Sequence, residues 1–346
     1  MKILFAIQGT GNGHLSRARD VYPELCKYGE VDVLISGIQA DVKVPFPVKY
    51  TYYGMSFIFG SHGGVDMLKT AKTLKLGRLI KDIKQLPVAD YDLVINDFEP
   101  VSAWACRLKK IPCISLSHQS AVLAPEAPRS GPDIMGLLVL KYYAPVSASY
   151  GFHFKAYSKN VYTPVIRKQV RELMPADEGH YTVYLPAYDD ATLIANLSQF
   201  KEVQWHVFSK HNKQPIVQDN VSVWPIENDA FLKSMASCTG LLCGAGFEGP
   251  AEAMHLGKKV MVIPMHAQYE QQCNAAAIQQ LGVPVIKSLS KKYYATIREW
   301  ISSGKPVAVN YPDITETIIK NLVYDHAPQY SSDVQKKLAA PGLTSV

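Results

Sequence analysis

The sequence predicts an α/β protein made of two parallel-sheet domains that face each other across a cleft, and three observations carry that expectation. The chain has 346 residues, more than one hydrophobic core ordinarily supports. Short apolar runs alternate with segments of helical periodicity along nearly all of it, the pattern of strands joined by helical crossovers. Its glycine-rich turns, at 9–13 and 244–246, come directly after apolar runs, where a strand hands over to a helix. Residues 1–162 are expected to form the first domain and 163–326 the second, with 327–346 a loosely ordered tail.

Composition narrows the function classes. Apolar residues make up 47% and charged residues 19%, enough apolar side chains for two cores, and no apolar stretch reaches the ~18 residues needed to cross a bilayer. A formal charge of +6 is modest for this length, and without a dense basic stripe a nucleic-acid partner is not expected. Six cysteines, at 26, 106, 113, 238, 243 and 273, include no CxxC pair, which points to buried reduced thiols and not to a disulfide framework or metal site. The opening MKILFAIQ runs straight into a glycine turn with no small-residue cleavage site, so it reads as a strand and not as a secretion signal. A cytoplasmic location is expected.

Residues 2–8 form the first apolar run, and Leu15, Ala18, Val21 and Leu25 beyond the GTGNGH turn give helical spacing. The glycines follow GxGxG and not GxGxxG, and the next strand, 31–35, ends in Ser36-Gly37 where a dinucleotide site would carry an acid. His14 stands at the start of the helix, whose positive end disfavours imidazolium. It is therefore expected to be neutral and able to take a proton, unless it only caps the turn. In 65–87 basic residues recur at 69, 72, 75, 78, 81 and 84 with Leu68, Leu76, Leu79, Ile80 and Ile83 between them. That helix reads as a solvated surface face or as a face that lies on anionic lipid. The stretch 93–119 reads as a strand ending at Asn96-Asp97, a helix from Pro100 and a strand over 112–116, which puts Asp97 on the same sheet edge as His14. His118 closes that second strand, residues 134–145 are either acceptor pocket or core, and 150–161 reads as the last strand of the first domain.

In the second half, strands are expected at 181–185, 203–208, 221–226, 240–243, 260–263 and 283–286, alternating with helices, and a helix over 312–324 is expected to return to the first domain. The densest segment is 239–277. A strand stops at Gly244-Ala245-Gly246, a helix follows through Pro250 to Met254 and closes at Gly257, and a second strand leads to a helix starting near Gln268. Both turns fall at the same carboxyl edge of a parallel sheet. The first offers glycine backbone and unpaired helix N–H groups to phosphate oxygens. Glu252 has two oxygens for the two hydroxyls of a ribose, and Glu270 with Gln271 can hydrogen-bond sugar hydroxyls.

GAGFEGPAEA (244–253), GKKVMVIP (257–264) and YEQQCNA (269–275) together resemble the donor-site signature of GT-B glycosyltransferases, including the UDP-glycosyltransferases and the lipid-intermediate enzyme MurG. GNGHLSRA (11–18) resembles the N-terminal loop of the same families. The resemblance implies two Rossmann-like domains and an inverting transfer of sugar from a nucleotide sugar, UDP-linked, to an acceptor hydroxyl. It implies that His14 is the general base and Asp97 its orienting carboxylate, with Glu99 the competitor for that place. It puts Gly246, Phe247, Glu248 and Gly249 at the phosphate turn, Glu252 on the ribose, Glu270 and Gln271 on the sugar, and the loop around Ile226 against the base. Gly11, Asn12 and Gly13 complete the donor set. Gly244 stands where many plant members have a phosphate-binding His, and Arg17 where they have Pro. Arg17, Glu99 and His118 are the acceptor-side candidates.

The expected reaction needs neither a cofactor nor a metal. Its partners would be the nucleotide-sugar donor, a lipid or glycan acceptor such as one of the cell envelope, and an anionic membrane surface if 65–87 lies on one, at the inner face of the membrane. Two other readings share these residues: a UDP-sugar epimerase of the same fold, and a non-catalytic nucleotide-sugar-binding subunit.

Overall fold

The computed structural model describes residues 1–10, 12–37, 44–55, 75–266 and 268–327. Among these, the first sheet contains β1 Lys2–Gln8, β2 Glu30–Ser36, β3 Tyr50–Tyr52, β4 Leu93–Asp97, β5 Ile114–Ser117, β6 Ala148–Phe152 and β7 Val161–Tyr162. They lie in the order 3-2-1-4-5-6-7, all parallel. The second sheet contains β8 His180–Tyr184, β9 Gln204–Ser209, β10 Ile216–Gln218, β11 Val221–Pro225, β12 Gly240–Gly244 and β13 Lys259–Ile263. Its order is 10-11-9-8-12-13, parallel except for the antiparallel edge strand β10. Two parallel-sheet α/β domains are therefore present, as expected.

Both sheets are covered on both faces, which is why their strands read as unbroken apolar runs. Ile3, Leu4, Phe5, Ala6 and Ile7 of β1 are all buried, facing alternately into two separate cores. The second sheet buries Val183, Trp205, Val207, Leu242 and Met261 in a third. The helix Thr315–His326 runs back to the first sheet, where Tyr150 donates to Asp325 Oδ2 at 2.5 Å and stacks edge-on with His326.

Four stretches differ from expectation. Residues 283–286 make one bridge, Val262 with Val285, and not a strand, because Pro284 has no N–H to extend a ladder. The single strand expected over 150–161 is two strands, β6 and β7, with Asn160 at φ 65° in the connection. The edge strands β3 and β10, three residues each, are too short to announce themselves, and β10 is exposed and pairs only with β11 through a hairpin that turns at Asp219, φ 52°. All six cysteines are free, five of them buried and Cys26 exposed. Of the basic stretch 65–87, residues 65–74 lie outside the described residues, and the helix Leu76–Gln85 carries the rest. The expected tail lies outside them from residue 328 onward. No helix among the described residues is long and apolar enough to cross a membrane.

Candidate active site

In each sheet the strand order reverses once at its centre, between β1 and β4 and between β8 and β12. Loops leaving neighbouring strands diverge at such a point, so a crevice opens at the carboxyl edge. In the first sheet the loop after β1 enters the helix Asn12–Cys26, whose third residue is His14, while β4 ends on Asp97. His14 Nδ1 and Asp97 Oδ1 are 2.8 Å apart. The carboxylate fixes the tautomer of the neutral ring: Nδ1 carries the proton and Nε2 the lone pair. Asp97 is held in place by a tight turn in which Phe98 takes φ 56°. Asn96 pins that turn, donating from Nδ2 to Glu99 O at 2.7 Å and to Ser102 Oγ at 2.9 Å.

Burial alone would lower the pKa of His14. The charge and hydrogen bond of Asp97, helped by Glu248, overcome both burial and the opposing charge of Arg17, and the imidazole ends above its ordinary 6.5. The helix end is therefore not the dominant influence on the protonation of the ring. A full carboxylate charge at 2.8 Å outweighs the partial charge of a helix terminus. For Asp97 burial pushes upward, but Arg17 and His14 hold the carboxyl below its usual range.

All three acceptor-side candidates are buried, each with partners inside the protein. Arg17 does not face open space: it is 2% exposed and donates from Nη2 to both oxygens of Asp97 at 2.7 Å. Its Nη1 reaches across to Glu248 of the second sheet's first glycine turn. The bulk of a guanidinium, with its fixed fork, is what lets one side chain span both carboxylates. Glu99 is fully buried, caps the helix Pro100–Lys109 by accepting from Val101 N and Ser102 N, and accepts from Ser36 Oγ. It is not placed to rival Asp97. His118 is buried as well, with its ring nitrogens against Phe152 O and Asn274 Oδ1 and its face stacked on Phe247 at 3.9 Å. It joins the two halves of the molecule.

On the facing side, β12 ends at Gly244 and the helix Glu248–His255 starts four residues later. Nothing lies within 4 Å of where a Cβ would sit on Gly246 or Gly249, so backbone there faces open space. Gly13 is the reverse case, since a Cβ on it would meet Glu248 Oε2 at 2.5 Å. The glycine loop after β1 and the glycine corner after β12 are thus pressed together through the Glu248 carboxylate. The Phe247 ring is buried, which leaves its backbone for a ligand. Glu252 is 2% exposed, and its two oxygens accept from Arg167 Nε at 2.5 Å and Nη2 at 2.7 Å. Burial raises its pKa and the charge of Arg167 only partly offsets that. Glu270 and Gln271, adjacent in sequence, point different ways. Gln271 folds onto the turn after β13, accepting from Met265 N at 3.0 Å, whereas Glu270 accepts from Gln119 Nε2 at 3.1 Å.

A cleft of about 930 Å³ runs between the halves. The first half contributes Asn12 and Gly13, and the second contributes Ile226, Gly244, Gly246 to Gly249, Glu252 and Gln271. Ile226 donates its N–H to Ser209 O at the edge of the cleft. Of the expected donor set, Gly11 lies outside the described residues. The sequence reading missed Arg167 and Gln119. Gln119 follows His118 at the end of β5, on the sheet edge already singled out, and that position was a usable signal; Arg167 sits between the two sheets and carried none. The chain does hold one Asp-x-Asp triplet, Asp90-Tyr91-Asp92, but it precedes β4, at the opposite edge of the sheet from Asp97.

The model of the family described as glycosyl transferase family 1 matches residues 1–302. No curated protein matches the chain. Among solved structures it is similar to MurG of Acinetobacter baumannii, at 16% identity and TM-score 0.52, covering 97% of this chain and 100% of that one. It is also similar to UGT2 of Phytolacca americana, solved with UDP-2-fluoro-glucose and pterostilbene, at 13% identity and TM-score 0.56 over 98% and 100% of the two chains. A glycosyltransferase of kitacinnamycin matches at 13% identity and TM-score 0.58, over 98% and 99%.

Proposed function

The chain belongs to glycosyl transferase family 1, and on that premise we propose that it moves a sugar from a UDP-linked donor to an acceptor hydroxyl with inversion at the anomeric carbon. The observation that carries the reading is the contact of His14 with Asp97 directly behind Asn12 and Gly13, which line the cleft together with the glycine corner around Gly246. The acceptor oxygen attacks the anomeric carbon from the His14 side while its proton passes to His14 Nε2. Asp97 stabilises the imidazolium that results, and Arg17 holds Asp97 ionised. A positioned base supplies roughly 10²–10⁴-fold, and alignment and stabilisation of the departing diphosphate must supply the rest. Backbone N–H groups at Gly246 to Gly249 and the start of the helix Glu248–His255 are suited to that anion.

For the donor, Glu252 would bind the ribose hydroxyls with the lone pairs that Arg167 leaves it, Ile226 would border the base, and Glu270 and Gln271 would meet the sugar. A lipid or glycan acceptor of the cell envelope fits the apolar flank where Ile134, Met135, Leu138 and Tyr142 are exposed on the helix Ile134–Tyr142. The basic helix Leu76–Gln85 would bring that flank to an anionic membrane surface, which makes the chain a peripheral protein of the inner face. No cofactor or metal has a part in these steps.

A thermal-shift screen against nucleotide sugars tests the reading, because a ligand at 100 times its Kd adds about 2.7 kcal/mol of stability. A UDP-sugar should raise the midpoint, and a screen in which none does would exclude the donor assignment. Glu252→Gln keeps the shape beside Arg167 but removes the charge that grips the ribose. UDP Kd should rise roughly 10–100-fold, the worth of hydrogen bonds to one charged group. Calorimetry showing an unchanged Kd removes Glu252 from the ribose. Asp97→Asn should slow transfer and move the acid limb of the kcat/KM profile to lower pH, since the charge that raises the His14 pKa is gone. An acid limb that stays in place denies that His14 is the titrating base.

A further inference from the structure

The short helix His118–Val122 begins where β5 stops, and its second residue, Gln119, is 5% exposed. Gln119 Nε2 lies 3.3 Å from His14 Nε2 and 3.1 Å from Glu270 Oε2. Because Nδ1–H of the neutral His14 ring donates to Asp97, the facing nitrogen Nε2 is an acceptor, and a carboxylate is one too. The amide therefore has only one favourable orientation: both N–H bonds are used, and Oε1 is left buried without a protein partner.

Resting on the transferase reading above, we propose that Gln119 is a positioning residue that caps the basic nitrogen of His14 and keeps water from it until an acceptor hydroxyl takes its place. An uncovered imidazole accepts a proton from water as readily as from an alcohol. Water would then bond through its oxygen to the anomeric carbon and pass a proton to His14 Nε2. The anomeric bond to the diphosphate would break, and the donor would be lost as free sugar. With the amide on Nε2, the incoming group must displace one N–H donor and should offer an oxygen to receive it. A hydroxyl held by its own acceptor molecule does both at once. The orphaned Oε1 is then placed to accept from a neighbouring hydroxyl of the ligand. Through Glu270 the same amide links this cap to the side chain that would meet the donor sugar.

Gln119→Met fills the same volume without an N–H, and Gln119→Asn keeps an amide too short to reach. In both, UDP affinity should stay as in the unaltered protein. The fraction of donor turnover that ends as free sugar should rise roughly five- to tenfold, the worth of one neutral hydrogen bond. The proton NMR titration of His14, identified by its absence in His14→Ala, should move to higher pH because a donor that favoured the neutral ring is gone. The other charged groups facing the ring, Asp97, Arg17 and Glu248, with Glu270 beyond the amide, are unchanged in both variants. An unmoved titration or an unmoved hydrolysed fraction overturns the cap. Loss of UDP binding in both variants makes Gln119 a folding residue and overturns it as well. An unaltered chain that neither transfers nor hydrolyses UDP-glucose or UDP-N-acetylglucosamine instead sinks the transferase reading, and the two failures are thereby told apart.

Discussion

His14→Ala is expected to lower kcat by roughly 10²–10⁴-fold while UDP Kd changes little, because the base acts only once the acceptor hydroxyl begins to react. The ring lies beside Asp97 in the first half of the molecule, and the residues suited to the nucleotide lie in the second. On the proposed reading, removing the ring takes away the group that would receive the acceptor proton and leaves the residues proposed for the donor standing. Steady-state kinetics with calorimetric UDP binding on the same sample separate the cases. An equal loss of rate and of nucleotide affinity would place His14 in donor binding or in folding.

Arg17→Met should have the largest effect on stability. Arg17 and Asp97 are both almost wholly buried, and the guanidinium also reaches Glu248 on the opposite wall. Methionine fills the space but leaves a buried carboxylate with His14 alone. Breaking such a pair ordinarily costs about 3–5 kcal/mol, and denaturant unfolding followed by fluorescence measures it. The charge of Arg17 also opposes protonation of His14. Without it the acid limb of the rate profile should move to higher pH, the opposite direction from Asp97→Asn. Two variants that shift the limb the same way would show that one of the two charges does not act on the ring as the geometry requires.

Much of the fold was legible in the sequence because parallel strands buried on both faces cannot avoid being apolar runs, and the turns that follow them cannot avoid small residues. That is why β1, β4, β12 and β13 and the helices after them could be placed, and why His14, Asp97 and the glycine corner could be assigned to carboxyl edges. The exceptions are short or irregular. β3 and β10 have three residues each at sheet edges, and 283–286 looks like a strand until Pro284 interrupts its ladder. Arg17, Glu99 and His118 read as acceptor contacts for a common reason: polar residues next to a functional loop look alike in sequence whether buried or open, and only the structure shows all three buried. Here Arg17 and His118 hold the two halves together and Glu99 caps a helix.

The sequence by itself determined the alternation of strand and helix, the two glycine turns, the identity of the basic and acidic side chains and the edge on which each would fall. These follow from periodicity and backbone sterics, which act over a few residues. Only the tertiary structure decided which of those side chains meet. Arg17 and Glu248 are 231 positions apart, and Gln119 and Glu270 are 151 apart. No local pattern encodes such contacts, because they arise where two sheets close on one another and every buried charge must find a partner from whichever wall supplies it.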